Sequence, residues 1–245
     1  MGIFTSRRYE ARYASDVRDL EAAQRLRHQA FRGTGEGRDA DAFDDHCRHV
    51  LIEDRSSGAL VGCFRLMSLA DGRVVGQSYS AQFYDLSALS GYGRPMAELG
   101  RFCVDPRIHD ADVLRVAWAA LTRVVDAEGV SMLFGCTSFR GTHAEIYLDV
   151  FALLKERHLA PKRWLPRVKA PAVFRFGQKL ASRRPDAGAA LKAMPPLLRS
   201  YLAMGGWVSD HAVVDRDLDT LHVFTGLEIG AIPPARARLL RGAAG

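Results

Sequence analysis

Residues 96–136 constrain the fold of this chain more tightly than any other stretch. The apolar run Met96–Val104 reads as a buried strand. From about Asp112 to Ala127, Val113, Leu114, Ala117, Trp118, Leu121, Val124 and Val125 recur at helical spacing, and Ser131–Cys136 is a second buried strand. A strand, a crossover helix and a strand of these lengths form a parallel pair, so the chain has a sheet with at least one parallel step. The first strand also carries Glu98 and Arg101 on either side of Gly100. Charges in a buried strand are costly unless paired or used. Regular alternation puts Glu98 and Arg101 on opposite faces, whereas a bulge at Gly100 brings them to one side. The pair is either a structural ion pair or part of a site.

Around that unit, Arg7–Ala14 reads as a strand and a helix starts at Asp16 behind a Ser15 cap. Val17, Leu20, Gln24, Arg27 and Phe31 fall on one stripe of that helix, so the Arg27 cation snorkels or meets an internal carboxylate. A glycine-rich loop from Gly33 follows and holds Asp39, Asp41, Asp44 and Asp45. It lacks the preceding strand and the following Lys-Ser/Thr of a phosphate-binding loop. His49–Glu53 and Ala59–Ser68 form a hairpin around Arg55–Gly58, with Arg65 inside an apolar strand. Val74–Tyr79 is expected to be extended and Gln82–Leu89 to be a short helix. Further helices are expected at Thr142–Lys155, Leu197–Met204 and Pro234–Leu240, with a last strand at Leu221–Ile229. Thr137, Ser138 and Phe139 are placed at the mouth of the second parallel strand, where open sheets bind ligands.

With 245 residues, 48% of them hydrophobic, the chain can bury one large core. The expected organisation is a core over 1–160, a basic segment over 161–200 inserted in the same domain, and a helix and strand over 201–245 completing the sheet. No run nears the roughly 18 apolar residues of a membrane span, and Met1–Arg12 lacks a signal-peptide core, so a cytoplasmic location is expected. The four cysteines have no paired spacing and read as reduced thiols; His46-Cys47-Arg48-His49 has no second ligand pair, so no metal is expected.

A net charge of +6 and a pI near 9.3 favour an acidic partner. Ten of the cations lie between Lys162 and Arg199 against the single acid Asp186, among them Arg163, Arg167, Lys169 and Arg175, with Trp164, Phe174, Phe176 and Leu180 interleaved. That mixture suits either an interfacial segment or a solvated face with core contacts. No zinc-finger or RNA-binding motif supports nucleic acid.

The order Leu26-Arg27-x-x-x-Phe31, Asp41-Ala-Phe-Asp44, Gly62-Cys-Phe-Arg65 and Glu98-Leu-Gly-Arg101-Phe-Cys-Val104 resembles the acyl-homoserine-lactone synthases of the GNAT superfamily. Asp44-Asp-His-Cys-Arg-His49, Leu133–Phe139 with Gly141-Thr142, and His158-Leu-Ala-Pro161 make the chain more similar to the bacterial ornithine N-acyltransferases of ornithine-lipid synthesis. The resemblance spans nearly the whole chain. It implies a GNAT-like α/β fold: a central mixed, mostly antiparallel twisted sheet containing the parallel strand-helix-strand unit, flanked by helices. It further implies transfer of a fatty acyl chain, often 3-hydroxylated, from acyl carrier protein to an amino-acid amine, without a tightly bound cofactor.

That chemistry suits the residues. An acceptor ammonium must lose a proton before its nitrogen attacks a thioester, and Glu98 is the candidate base; burial raises a carboxyl's pKa while Arg101 opposes the rise. Amides around Phe102, Cys103 and Val104 are candidate oxyanion donors. Arg27, Arg65 and Arg101 hold the carboxylate network or bind the acceptor carboxylate, and Asp41 and Asp44 receive its ammonium groups. Arg163, Arg167, Lys169 and Arg175 are candidates for touching the acidic carrier or an anionic inner membrane.

Two features depart from the related families. The loop Gly33–Asp39 lacks the tryptophan usual in autoinducer synthases. Asp105–Asp112 carries acids in place of the glycine-rich turn that cradles a coenzyme A pyrophosphate, favouring a carrier-protein donor. The alternatives to an aminolipid-forming enzyme are an acyl-homoserine-lactone synthase and a non-catalytic GNAT-fold protein binding a membrane or partner.

Overall fold

The computed structural model describes residues 2–33 and 35–244. In chain order the elements are β1 (Gly2–Thr5), β2 (Tyr9–Tyr13), α1 (Val17–Arg32), β3 (Arg48–Asp54), β4 (Leu60–Leu69), β5 (Tyr84–Asp85), β6 (Met96–Val104), α2 (Ala111–Glu128) and β7 (Met132–Arg140). There follow α3 (Leu148–Arg157), β8 (Arg167–Val168), β9 (Val173–Phe174), α4 (Phe176–Lys179), α5 (Ala187–Ala193), α6 (Pro196–Ala203), β10 (Trp207–Asp215), β11 (Thr220–Glu228) and α7 (Pro234–Ala244). The chain divides into two compact units, with β6 split between them after Glu98.

The first unit holds the described residues up to Ser68, then Leu99–Val130, and those from Pro234. Its strands run β1-β2-β3-β4, each antiparallel to the next. Asp16, rather than Ser15, caps α1 by accepting from the amides of Arg18 and Asp19, while Ser15 binds the Asp19 carboxylate. The carboxylate at the N-terminus leaves α1 few orphan amides. One face of α1 buries Ala23 and Leu26 against Leu51, Cys63 and Cys103, with Phe31 packed at the margin. Phe31 is therefore a packing residue of this core, and Val17, placed on the same stripe by periodicity, is exposed. α2 is capped by Asp110 and stops at Gly129, whose φ of 62° is the left-handed conformation that glycine adopts without strain.

The second unit comprises Leu69–Glu98 and Ser131–Pro233. Its strand order is β6-β7-β11-β10-β9. β6 and β7 are the parallel pair that the strand-helix-strand pattern requires, registered from Met96↔Met132 to Glu98↔Phe134; the other pairings are antiparallel. β7 runs on to Arg140 because β11 pairs with it along its whole length. Thr137, Ser138 and Phe139 thus lie within the strand rather than at its mouth, and Phe139 is core. The stretch 72–89 is neither the extended piece nor the helix expected, but short 3-10 turns and β5.

The basic stretch folds into β8, β9 and α4 to α6. Its apolar side chains Phe176, Leu180, Met194 and Leu198 enter one core with Val150, Phe151, Leu154, Val208 and Val223, with Phe174 packed against it. The hydrophobic effect thus consumes the anchors that an interfacial segment would turn outward, leaving the cations exposed. No described helix is long and apolar enough to cross a membrane.

Candidate active site

In the first unit, arginines from three elements meet the loop aspartates. Arg27 on α1 donates from Nε to Asp39 at 3.0 Å and from Nη1 to Asp44 at 2.7 Å. Arg65 on β4 reaches Asp44 at 2.6 Å and both oxygens of Asp41 at 2.5 and 2.9 Å. Arg101 on β6 joins Asp39 at 2.8 Å to Asp41 at 3.0 Å. Gln24 donates to the second oxygen of Asp44 at 2.9 Å, and His49 Nε2 lies 3.1 Å from the Asp44 carbonyl. Arg32, partly exposed on α1, adds a longer ion pair to Asp39 at 3.6 Å, so each of the three carboxylates is matched by guanidiniums, the condition under which burial of charge is tolerated.

Burial pushes the Asp44 carboxyl up, but Arg27, Gln24 and Arg65 outweigh it and hold it at about 2. Asp41 is likewise held below its usual value against burial by Arg65 and Arg101, whereas burial lowers His49. The side chains of Asp39 and Asp44 are 2% and 4% exposed and that of Asp41 is 24% exposed, so Asp41 is the carboxylate a solute can reach.

Arg101 has a φ of 50° inside its strand. A Cβ on Gly100 would sit 3.4 Å from Arg65 Nε, and Arg101 shares Asp41 with that same arginine. Two consecutive residues therefore turn to one side, the local break in alternation that a bulge produces. A left-handed non-glycine residue costs on the order of 1–3 kcal/mol and persists where its surroundings fix it; two ion pairs do so here. Cys103 lies 3.5 Å from Cys63, and that contact together with burial raises its thiol pKa. Phe102 stacks on Phe64, and Val104 is half-buried.

At the start of α2, the backbone amides meet the chain's own carboxylates. Asp105 accepts from the Arg107 amide and guanidinium, and Asp110 accepts from the Asp112 amide, Arg8 and Tyr9. A pyrophosphate would have to displace these acids.

In the second unit, Glu98 is 4% exposed and bonded on both oxygens. Oε1 accepts from the Ser80 amide at 2.7 Å and the Ser80 hydroxyl at 2.5 Å, and Oε2 accepts from the Tyr79 amide at 2.8 Å. The Ser80 hydroxyl also lies 3.4 Å from Cys136 Sγ, and buried Tyr201 on α6 feels the Glu98 charge, which adds to burial in raising its phenol pKa. Thr137 pairs its hydroxyl with Thr225 at 3.0 Å, and Ser138 lies opposite His222.

Nothing in the sequence pattern singles out Tyr79, Ser80, Cys136 and Tyr201. Two of these are recruited through backbone amides, which leave no mark in residue type. Arg163, Arg167, Lys169 and Arg175 are exposed, with Arg163 3.7 Å from Glu228 and Lys169 donating to the Ala81 carbonyl.

Residues 26–119 match the acetyltransferase (GNAT) domain family. The L-ornithine N(alpha)-acyltransferase of Rhodobacter capsulatus is 34% identical over 239 residues, covering 91% of each chain. That of Agrobacterium fabrum is 28% identical over 240 residues, covering 91% of this chain and 82% of the relative. Among solved structures, an N-acyl amino acid synthase from uncultured soil microbes is similar at 12% identity and a TM-score of 0.49, covering 97% of each chain.

Proposed function

The chain belongs to the L-ornithine N(alpha)-acyltransferase family, and on that premise we propose that it moves a fatty acyl chain, 3-hydroxylated in the preferred donor, from acyl carrier protein to the α-amine of ornithine or a similar amino acid. The product is a lyso-aminolipid, and the carrier's phosphopantetheine thiol is released. The thioester is a co-substrate, and no tightly bound cofactor is invoked.

The observation that carries this reading is the Glu98 carboxylate, buried and held by three donors. A positioned carboxylate takes the acceptor's ammonium proton directly or through one water, freeing the nitrogen lone pair to attack the thioester carbonyl. Backbone amides of Phe102 to Val104 stabilise the tetrahedral oxyanion. Collapse expels the thiolate, which takes up a proton. Arg101 binds the acceptor carboxylate and Asp41, the reachable acid of its cluster, receives an ammonium; Arg27, Arg65, Asp39 and Asp44 position these two.

The crowded acidic start of α2 supports a carrier protein, with its single phosphodiester, over coenzyme A. The exposed cations Arg163, Arg167, Lys169 and Arg175 steer that acidic carrier, or touch the anionic inner membrane where the product leaves a cytoplasmic enzyme.

Mass spectrometry of lipids from a host expressing the chain tests the reading. A new N-acyl amino acid lipid that vanishes with Glu98→Gln is expected; none from the wild-type chain would refute the activity, and an undiminished product in the variant would refute the role of Glu98.

A further inference from the structure

Within the second unit, β11 and β10 bury two histidines whose Nε2 atoms find no hydrogen-bond partner among the described residues. His222 is 2% exposed and His211 is fully buried. Both rings pack on buried Tyr84, with centroids 5.6 and 5.2 Å away, and Phe83 meets His222 edge-on at 5.0 Å.

The surrounding bonds fix which ring nitrogen carries the hydrogen. The Tyr84 hydroxyl gives its single hydrogen to the His222 carbonyl at 2.7 Å. Its oxygen then accepts from His222 Nδ1 at 3.2 Å, so Nδ1 carries the hydrogen and Nε2 a lone pair. His211 Nδ1 lies 2.7 Å from the Asp210 carboxylate, an acceptor, so Nδ1 donates there too. Burial, and after it the neighbouring His211, push the His222 imidazole down to about 3, keeping it neutral.

An unmatched buried acceptor costs on the order of 1–3 kcal/mol and is relieved by a donor. An ammonium is a poor candidate, because a buried cation needs a carboxylate beside it. A metal ion would find two nitrogens where four ligands are usual. A single hydroxyl on an otherwise apolar body matches one lone pair among aromatic rings.

Register relates this group to Glu98. Glu98 pairs with Phe134, and four residues further along β7 Ser138 pairs with His222. The period of two puts Glu98 and His222 on one face, two strands and four residues apart, roughly 16 Å between Cα atoms. Rings bridge that distance: Tyr79, whose amide holds Glu98, packs on Phe83 at 5.2 Å, and Phe83 packs on His222.

We infer that His222 Nε2, set in its accepting tautomer by Tyr84, is a specificity determinant that accepts a hydrogen bond from a hydroxyl on the acyl chain. The inference rests on the acyl-transfer reading above and adds the group that recognises the hydroxyl. Tyr84 is a positioning residue, acting through the His222 tautomer.

The test compares kcat/KM for carrier-bound acyl donors of equal length, unsubstituted or hydroxylated at successive carbons, in wild type, His222→Phe, His222→Gln and Tyr84→Phe. Wild type is expected to prefer a hydroxylated donor. His222→Phe should lower the hydroxylated-to-unsubstituted ratio by about fivefold to tenfold, the value of one hydrogen bond. His222→Gln, which keeps an acceptor, should restore part of the ratio, and Tyr84→Phe should lower it. Equal loss on both donors, or an unchanged ratio at every hydroxyl position, would overturn the inference. So would an ordered water on Nε2 that stays when a hydroxylated donor binds. Should His222→Phe fail to fold, His222→Gln and Tyr84→Phe still decide. Absence of transfer from any donor in wild type would instead refute the acyltransferase reading.

Discussion

Asp44→Asn is the sharpest probe of the arginine-carboxylate cluster. Asp44 takes charged hydrogen bonds from Arg27 and Arg65 at 2.7 and 2.6 Å through one oxygen, and Gln24 through the other. Asp44→Asn keeps the shape, removes the charge and leaves the buried Arg27 and Arg65 guanidiniums without the carboxylate they share. Removing one partner of a buried ion pair costs about 3–5 kcal/mol, a large part of the roughly 5–15 kcal/mol that holds a typical domain together. Urea unfolding at neutral pH should show the midpoint falling with an unchanged slope, and the exposed neighbour Asp45→Asn should move stability by less than about 0.5 kcal/mol.

Acid titration gives a second arm. The folded Asp44 carboxyl is depressed from 3.8 to about 2, so its contribution of about 2 kcal/mol is complete above the unfolded value and lost as pH falls through the folded one. The stability gap between wild type and Asp44→Asn should therefore narrow by about that amount between pH 5 and pH 2. A loss below about 1 kcal/mol at neutral pH, or a gap indifferent to acid, would refute the view that this charge organises the cluster.

Further outcomes are expected elsewhere. Gly226→Ala would drive a Cβ into the Trp207 ring, costing about 1–3 kcal/mol through overpacking; thermal melting with near-ultraviolet circular dichroism checks it. Coenzyme A thioesters should be poorer donors than carrier-protein thioesters, and Asp110→Gly should raise kcat/KM for the coenzyme A donor several-fold by removing the acid at the start of α2. Charge reversal at Arg163, Arg167 and Lys169 should raise KM for the carrier protein and flatten its salt dependence. Unchanged carrier and liposome binding in that triple variant would dismiss the docking role of the basic surface.

The sequence by itself determined the elements whose residues carry their own period or punctuation. These are α1, the β3-β4 hairpin with Arg65, and the β6-α2-β7 unit and its parallel pairing. Family motifs extended that to the fold. Only the tertiary structure decided which charges meet, because Arg27, Arg65 and Arg101 find Asp39, Asp41 and Asp44 across long stretches of chain, and no local pattern encodes such a pairing. It also decided the elements made by their neighbours. β10 goes unrecognised in the sequence because Ser209, Asp210 and His211 interrupt its apolar run, β7 is longer than its apolar core because β11 pairs with its polar end, and the anchors of the basic stretch turn inward because a core needs them. Glu98 is legible as a residue, but its setting is not: two of its donors are backbone amides at Tyr79 and Ser80, present in nearly every residue and aimed only by the folded chain.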